Sequence, residues 1–424
     1  MSRLRQPGLA LSRSQASGGV YWMVRPRASR SARAVPRSHV RSRGVMRRGL
    51  YPGRVRVLVA PDKFKGTLTA AQAAEAIARG WARGDPAATV ETAPMADGGE
   101  GTLDALVAAL GGERRRTNVS GPLGDPVDAE FALVPTSEGP TGVVEMARAS
   151  GLGLLSPARR DPKRTTTRGT GGLILAACRS GVGRVMVCIG GSATNDAGAG
   201  MAQALGIRLV DEAGHDLGPG GAALANLARI DMSALDPAVA ASTFVVATDV
   251  DNPLVGPQGA SAVYGQQKGA SPEDVALLDR ALGHFAAVVY RDLGVDVRTL
   301  KGAGAAGGLG GGLIAFLGAR LRPGVDVVME ALRLPQRMQG ADLAVTGEGT
   351  FDEQSLRGKA PAGVLRVAEE AGVQAVILAG QRAADVGSAR IFTLADRFGV
   401  DAAMDRTGPL LEELAAEVAR ELGK

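Results

Sequence analysis

Five apolar runs in this sequence each stop at a group of Asp, Glu, Lys and Gly residues, and these groups are the ones that could do chemistry. After 54–60 comes Asp62-Lys63-Phe64-Lys65-Gly66, and after 89–95 comes Asp97-Gly98-Gly99-Glu100. Run 184–190 leads into Gly190-Gly191-Ser192-Ala193-Thr194-Asn195-Asp196, and run 242–248 into Asp249-Val250-Asp251. Run 341–347 closes on Gly347 and continues as Glu348-Gly349-Thr350-Phe351-Asp352-Glu353-Gln354. A glycine-rich junction frees backbone N–H groups to face an anion, and a helix starting there adds about half a positive charge. Gly190, Gly191 and Ser192, with Thr194 and Asn195 beside them, therefore read as a phosphate cradle ahead of a helix over 197–206. Lys63 and Lys65 would supply compensating cations.

Carboxylates beside a phosphate repel it unless they hold a divalent cation or take a proton from a nucleophile. Asp62, Asp97, Asp196, Asp249, Asp251, Glu348 and Asp352 are more than one base needs. The set implies magnesium, and with it phosphoryl transfer, in which positioning and charge neutralisation carry most of the catalysis.

The elements that must position these residues are legible as alternating apolar runs and amphipathic stretches, the pattern of an α/β fold with a largely parallel sheet. Strands are expected at 54–60, 89–95, 129–135, 142–147, 184–190, 242–248, 341–347, 374–380 and 389–395. Helices are expected at 69–84, 101–110, 169–181, 271–294, 360–372 and 408–423. In an open parallel sheet, ligands bind beyond the carboxyl ends of the strands. All five groups fall at such ends, so one shared rim is the expected site. Residues 120–147 read as hairpins, a change of texture that suggests a second domain inserted into the first.

Composition narrows the function classes. The net charge of +6 comes from residues 1–54, which hold 13 Arg and no acidic residue; the remainder carries 36 basic and 43 acidic residues. The folded part is mildly acidic, which argues against nucleic acid as a partner. The arm resembles a mitochondrial transit peptide in composition, or else reads as a disordered or untranslated stretch upstream of a start near Met46. No apolar run reaches the length of about 18 residues that a membrane span needs, so a cytoplasmic location is expected. Cys178 and Cys188 match no zinc spacing, and three scattered His residues give a triad little to build from.

Two further glycine patterns have competing readings. "GAGAAGG" (302–308) fits the dinucleotide fingerprint but follows a polar stretch, so Gly304 and Gly307 are expected in a phosphate or substrate loop ahead of a helix at 312–320. An NAD-dependent oxidoreductase is the alternative, as is a phosphate- or sugar-acid-binding protein without catalysis. "LRGKAP" (356–361) lacks the spacing of a Walker A loop.

Seven ordered blocks, from "APDKFKGTLTAAQAAEAIARGW" and "PMADGGEGTLDAL" through "RDPKRTTTRGTGGLI", "IGGSATNDAGAGMAQALG" and "ATDVDNPLVGPQGASAVYGQQKGAS" to "GAGAAGGLGGGLIAFLGA" and "TGEGTFDEQSLRGKAP", resemble the signature blocks of the bacterial glycerate kinases. The resemblance runs from about residue 55 to the C-terminus. It implies ATP- and magnesium-dependent phosphorylation of D-glycerate, to 2-phosphoglycerate or 3-phosphoglycerate. It also implies a flavodoxin-like α/β domain from both chain ends (55–90 and 291–424) around an inserted α/β domain described as restriction-enzyme-like (91–290). That family's first block more often reads Asp-Ser at 62–63, so a phosphate role carries over to Lys65 rather than Lys63.

On this reading Asp249, at the end of a buried strand, is the expected base and Lys65 its catalytic partner. Asp97, Asp196, Asp251, Glu348 and Asp352 are expected to hold magnesium. ATP phosphates are expected on 190–192 and 302–308. Arg168 could meet a phosphate or substrate carboxylate, with Asp62, Lys63, Gly66, Gly98, Gly99, Gly347, Gly349 and Gln354 in the binding surface.

Overall fold

The computed structural model describes residues 54–353, 355, 358–383 and 390–423. The Arg-rich stretch 1–53 and Gln354, both subjects of expectations above, lie outside the described residues. Strands β1 (Arg56–Val59), β2 (Thr89–Thr92), β11 (Leu343–Thr346), β13 (Gln374–Ala379) and β15 (Arg390–Thr393) form a five-stranded sheet. All its pairs are parallel, in the order β15-β13-β11-β1-β2. A six-stranded sheet combines β3 (Glu113–Ser120), β4 (Pro126–Thr136), β5 (Gly139–Glu145), β6 (Arg184–Cys188), β9 (Thr243–Ala247) and β10 (Arg320–Arg322). Its β3-β4-β5 part is antiparallel and its β5-β6-β9-β10 part parallel. Two small pairs complete the sheets: antiparallel β7 (Arg208–Val210) with β8 (Arg229–Asp231), and parallel β12 (Thr350–Phe351) with β14 (Gln381–Arg382).

All nine expected strands and all six expected helices are present within a few residues of their expected ends. The parallel strands read as continuous apolar runs because both of their faces are covered. One core packs the two sheets together, with Leu58, Ala344 and Val364 meeting Val143, Met186 and Val245. A second core covers the far face of the six-stranded sheet, where Phe285 and Phe316 meet edge to face at 6.0 Å between ring centres. Both free cysteines are buried.

Register brings the chemistry to one level. Val59 lies opposite both Val345 and Thr92, so the loops after β1, β2 and β11 leave their sheet side by side. In the other sheet Glu145, Cys188 and Ala247 stand in line, which aligns the exits of β5, β6 and β9.

The six-stranded sheet runs on past the expected junction at 290/291. That junction falls inside helix Pro272–Leu293, and both helix Leu309–Leu317 and edge strand β10 follow it before the chain returns to the first sheet. A three-residue edge strand leaves little texture in a sequence. The same holds for β3, "ERRRTNVS", whose exposed charges occupy the opposite edge of the sheet, where charge blunts unwanted pairing.

Candidate active site

A cleft of about 1350 Å³ opens at the carboxyl ends of β1, β2, β6 and β11. The loop after β1 brings Asp62, Lys63, Lys65 and Gly66 into its lining, and the loop after β2 brings Asp97, Gly99 and Glu100. Gly190 and Gly191 follow β6, while Glu348, Gly349 and Asp352 follow β11. The first loop is anchored by buried Phe64, whose backbone N–H donates to Leu68 O at 3.0 Å, and it turns at Gly66, with φ of 86°. The Asp62 N–H donates to Gly347 O at 2.8 Å, which ties that loop to the exit of β11. A Cβ on Gly190 would lie 2.8 Å from the Gly99 Cα, so two loops from different sheets meet backbone to backbone. No side chain could stand between them.

Charge in the cleft is mixed and partly unsatisfied. Asp62 is 5% exposed, and burial, followed by the Asp97 charge, pushes its pKa up to about 7; Lys63 and its backbone N–H pull the other way. Burial also raises Glu348, against the lowering effect of Ser355 and Lys359, and its Oε1 is buried without a hydrogen-bond partner among the described residues. Lys63 Nζ lies 2.7 Å from Glu100 O and 3.8 Å from Asp97 Oδ1. Lys359 Nζ lies 3.8 Å from Asp352 Oδ1. Lys65 is exposed on the lining and meets no carboxylate within ion-pair distance among the described residues. It is the cation most available to a ligand.

Several expected site residues stand elsewhere. Asp196 is buried, and its carboxylate accepts from Thr167 N (2.8 Å), Thr167 Oγ1 (2.9 Å), Gly200 N (3.2 Å) and Gly198 N (3.2 Å). With its oxygens so occupied it braces the loop and does not hold a metal. It also takes up the N-terminal amides of helix Ala199–Ala204, so that helix does not serve an anion in the cleft. Thr194 and Asn195 are buried, Asn195 donating to Ser261 Oγ at 2.9 Å, and neither they nor Ser192 are among the lining residues. Only the first two glycines of this loop reach the site.

Asp249 is likewise absent from the lining; its Oδ1 accepts the Gly324 N–H at 2.9 Å, and burial raises its pKa to about 6. Asp251 is exposed and lies near Tyr264, whose pKa it helps to raise. The 302–308 loop packs into the core on the far face of the six-stranded sheet. A Cβ on Gly304 would lie 2.1 Å from Pro253 O, and one on Gly307 would lie 1.9 Å from Thr194 O. These glycines allow close backbone packing, leaving no room for a phosphate or a dinucleotide. Gly98 and Gly347 serve packing too, against Ala247 and Leu378 O respectively. Arg168 is exposed outside the lining, at the start of helix Arg168–Arg179.

Other cleft residues lie outside the expected set. Glu145 is buried at the end of β5 and accepts from Gly101 N (2.9 Å) and Leu103 N (2.8 Å), capping the helix that follows β2. Arg148 binds Glu145 Oε2 at 2.7 Å and Asp104 Oδ2 at 3.0 Å, and also pairs with Glu130. The apolar reading of 142–147 passed over Glu145, although a carboxylate at the end of a buried strand is itself a signal. Lys359 is the N-cap residue of helix Ala360–Ala371, which has no side-chain cap. The Gly-Lys-Ala-Pro of 358–361 marked this helix start, though not as a Walker A loop.

Among the described residues no three His, Cys, Asp or Glu side chains group closely enough to hold a metal by themselves. Magnesium commonly keeps several waters and takes only one or two carboxylates beside substrate phosphates. Asp97 and Glu348, which repel each other and of which Glu348 keeps one oxygen unsatisfied among the described residues, fit a partial site of that kind.

Comparison with known proteins identifies the family. Residues 57–423 match the model of the glycerate kinase family. A protein named glycerate kinase from Halalkalibacterium halodurans is 47% identical over 370 residues, covering 86% of this chain and 97% of its own. One named glycerate 2-kinase from Escherichia coli is 46% identical over 333 residues, covering 78% and 87%. A crystal structure assigned as glycerate kinase 2 from Salmonella typhimurium LT2 superposes with a TM-score of 0.80 at 43% identity, over 88% of this chain and 99% of that one. The chain is thus an enzyme of mixed α/β fold, and it belongs to the glycerate kinase family.

Proposed function

We propose that the enzyme transfers the γ-phosphoryl group of ATP to a hydroxyl of D-glycerate, with magnesium, to give 2-phosphoglycerate. The observation that carries this reading is the convergence of four strand-end loops on one cleft, with cations Lys63, Lys65 and Lys359 facing carboxylates Asp62, Asp97, Glu348 and Asp352. The 2-position is supported by the 46% identity to a protein named glycerate 2-kinase.

In this reading Gly190, Gly191 and Gly349 let backbone amides approach the nucleotide phosphates, while Lys65 and Lys359 pair with phosphate oxygens. Asp97 and Glu348 would hold magnesium, which when bound neutralises the charge on the transferring group. Asp62 takes the hydroxyl proton, because it faces the cleft and is held near neutrality; Asp249 supports Gly324 behind the lining. D-glycerate occupies the remaining space between the two sheets, which we read as the cores of two domains.

Incubation of the enzyme with ATP, magnesium and D-glycerate, with ADP release measured alongside phosphorus NMR of the product, tests the whole reading. The expected result is ADP formation that needs all three components and a product phosphorylated at the 2-position. ADP release without glycerate, or none at all, would overturn it.

A further inference from the structure

Apart from the cleft, the segment leading to helix Arg168–Arg179 folds around a second cavity, of about 620 Å³. Four cations line it, Arg159, Arg160, Lys163 and Arg164, against the two carboxylates Asp125 and Asp161. Both carboxylates are engaged: Arg159 donates to Asp125 Oδ2 at 2.7 Å, and Asp161 Oδ1 accepts the Lys163 backbone N–H at 3.1 Å. Lys163 Nζ is drawn to Asp274 Oδ1 at 2.9 Å. Arg160 and Arg164 are left without a carboxylate at ion-pair distance among the described residues. The Arg160 Nε is buried with no hydrogen-bond partner at all. A buried donor on a charged group is costly to leave unmatched, so this one points to an absent acceptor.

The cavity is also held in shape. A Cβ on Gly269 would lie 2.4 Å from Arg160 O, so the backbone at 269 presses directly on Arg160. We propose that this cavity is a second anion site, separate from the cleft, for a small molecule that carries a phosphate group. Two unpaired guanidinium groups present planar forks of N–H donors that match the spread oxygens of phosphate better than a spherical halide. The chain neighbours of two lining residues, Arg164 and Gly269, hold the loop whose first residues line the cleft: Thr165 Oγ1 donates to Ala193 O at 2.8 Å, and Lys268 Nζ donates to Thr194 O at 2.7 Å. Occupancy of the second site therefore bears on a segment continuous with Gly190 and Gly191.

Thermal unfolding of the full chain, with inorganic phosphate replacing chloride at constant ionic strength, tests the site. Binding to the folded state alone raises Tm by an amount that grows with the logarithm of 1 + L/Kd, where L is the free ligand concentration. Phosphate is expected to raise Tm similarly in the parent and in Lys65→Ala, which weakens the cleft. Arg164→Ala, at an exposed position, is expected to lose at least half of that rise, and Arg160→Gln nearly all of it. Should Arg160→Gln not fold, Arg164→Ala decides alone. The proposal is overturned if Lys65→Ala abolishes the rise while Arg164→Ala keeps it, or if phosphate raises Tm in neither protein. Repeating the titration in Lys65→Ala with a phosphorylated three-carbon acid separates the two sources of phosphate. An equal rise in Tm at a concentration at least tenfold lower than for phosphate marks the organic ligand, and equal rises at equal concentrations mark free phosphate.

Discussion

In the proposed mechanism Asp62 is the residue on which the chemistry turns, because burial holds an acid at a pKa of about 7 on the wall of the cleft. A positioned base contributes about 10²- to 10⁴-fold, so Asp62→Asn should lower kcat by at least about 100-fold. Asp249→Asn, which alters a contact to Gly324 outside the lining, should cost less than about tenfold. Comparing the two kcat values checks the assignment, and the reverse order would return the role to Asp249. Since Asp62 must be ionised to accept a proton, kcat/KM should climb with pH and level off above about 7; a profile flat from pH 5 to 8 would argue against it. Stability moves the opposite way. The folded pKa is raised, so the folded state binds the proton more tightly, and stability present below about pH 4 is lost as pH rises through 7. Three pKa units set an upper bound of about 4 kcal/mol on that loss. Asp62→Asn should therefore unfold at a temperature a few degrees above the parent at pH 8, measured by calorimetry, while being nearly inactive. The sequence revealed Asp62, Lys65, Asp97 and Glu348 through their position at strand ends. It could not separate Asp97 from Asp196, since both follow a strand within a glycine-rich stretch and only tertiary packing decides which carboxylate is consumed by backbone amides.

At the scale of elements, helices and parallel strands were legible because their burial writes a period into the sequence, whereas the purpose of a glycine is not written there. Gly190 and Gly304 sit in similar glycine-rich contexts, yet one faces the cleft and the other touches Pro253 O. The pairing of helix Ala70–Gly84 with helix Thr407–Leu422 shows the same ambiguity. Gly80 lies where a Cβ would stand 2.1 Å from Glu412 O, and Gly84 where it would stand 2.4 Å from Ala416 O. These contacts let the first and last helices of the described chain approach closely, with Arg79 and Arg83 both reaching Glu412. Helix propensity alone favours alanine over glycine by about 1 kcal/mol. Gly80→Ala should nonetheless destabilise by about 1–3 kcal/mol, because the added methyl meets backbone that must move as a unit. Chemical denaturation at equilibrium measures this, and a stabilised variant would show that the helices can part without penalty.

For the whole molecule, the change of texture after residue 120 signalled a second sheet but not where it ends, because its last strand, β10, is short, polar and at an edge. No helix among the described residues is long and apolar enough to cross a membrane. The two sheets share a core, yet the loops that line the cleft come from both, so their relative placement sets the geometry of the cleft. The contact between Gly98 and Gly324 bears on this. A Cβ on Gly98 would fall 2.8 Å from both the Gly324 Cα and the Ala247 Cβ, and one on Gly324 would fall 2.0 Å from Asp97 O. Bare main chain rests on main chain here, so a wedge as small as a methyl would push the loop after β2 away from the end of β9 and displace the groups that the loop carries. Gly98→Ala should accordingly behave as a misaligned machine rather than a broken one, with kcat down by about tenfold or more and nucleotide affinity nearly unchanged in equilibrium binding.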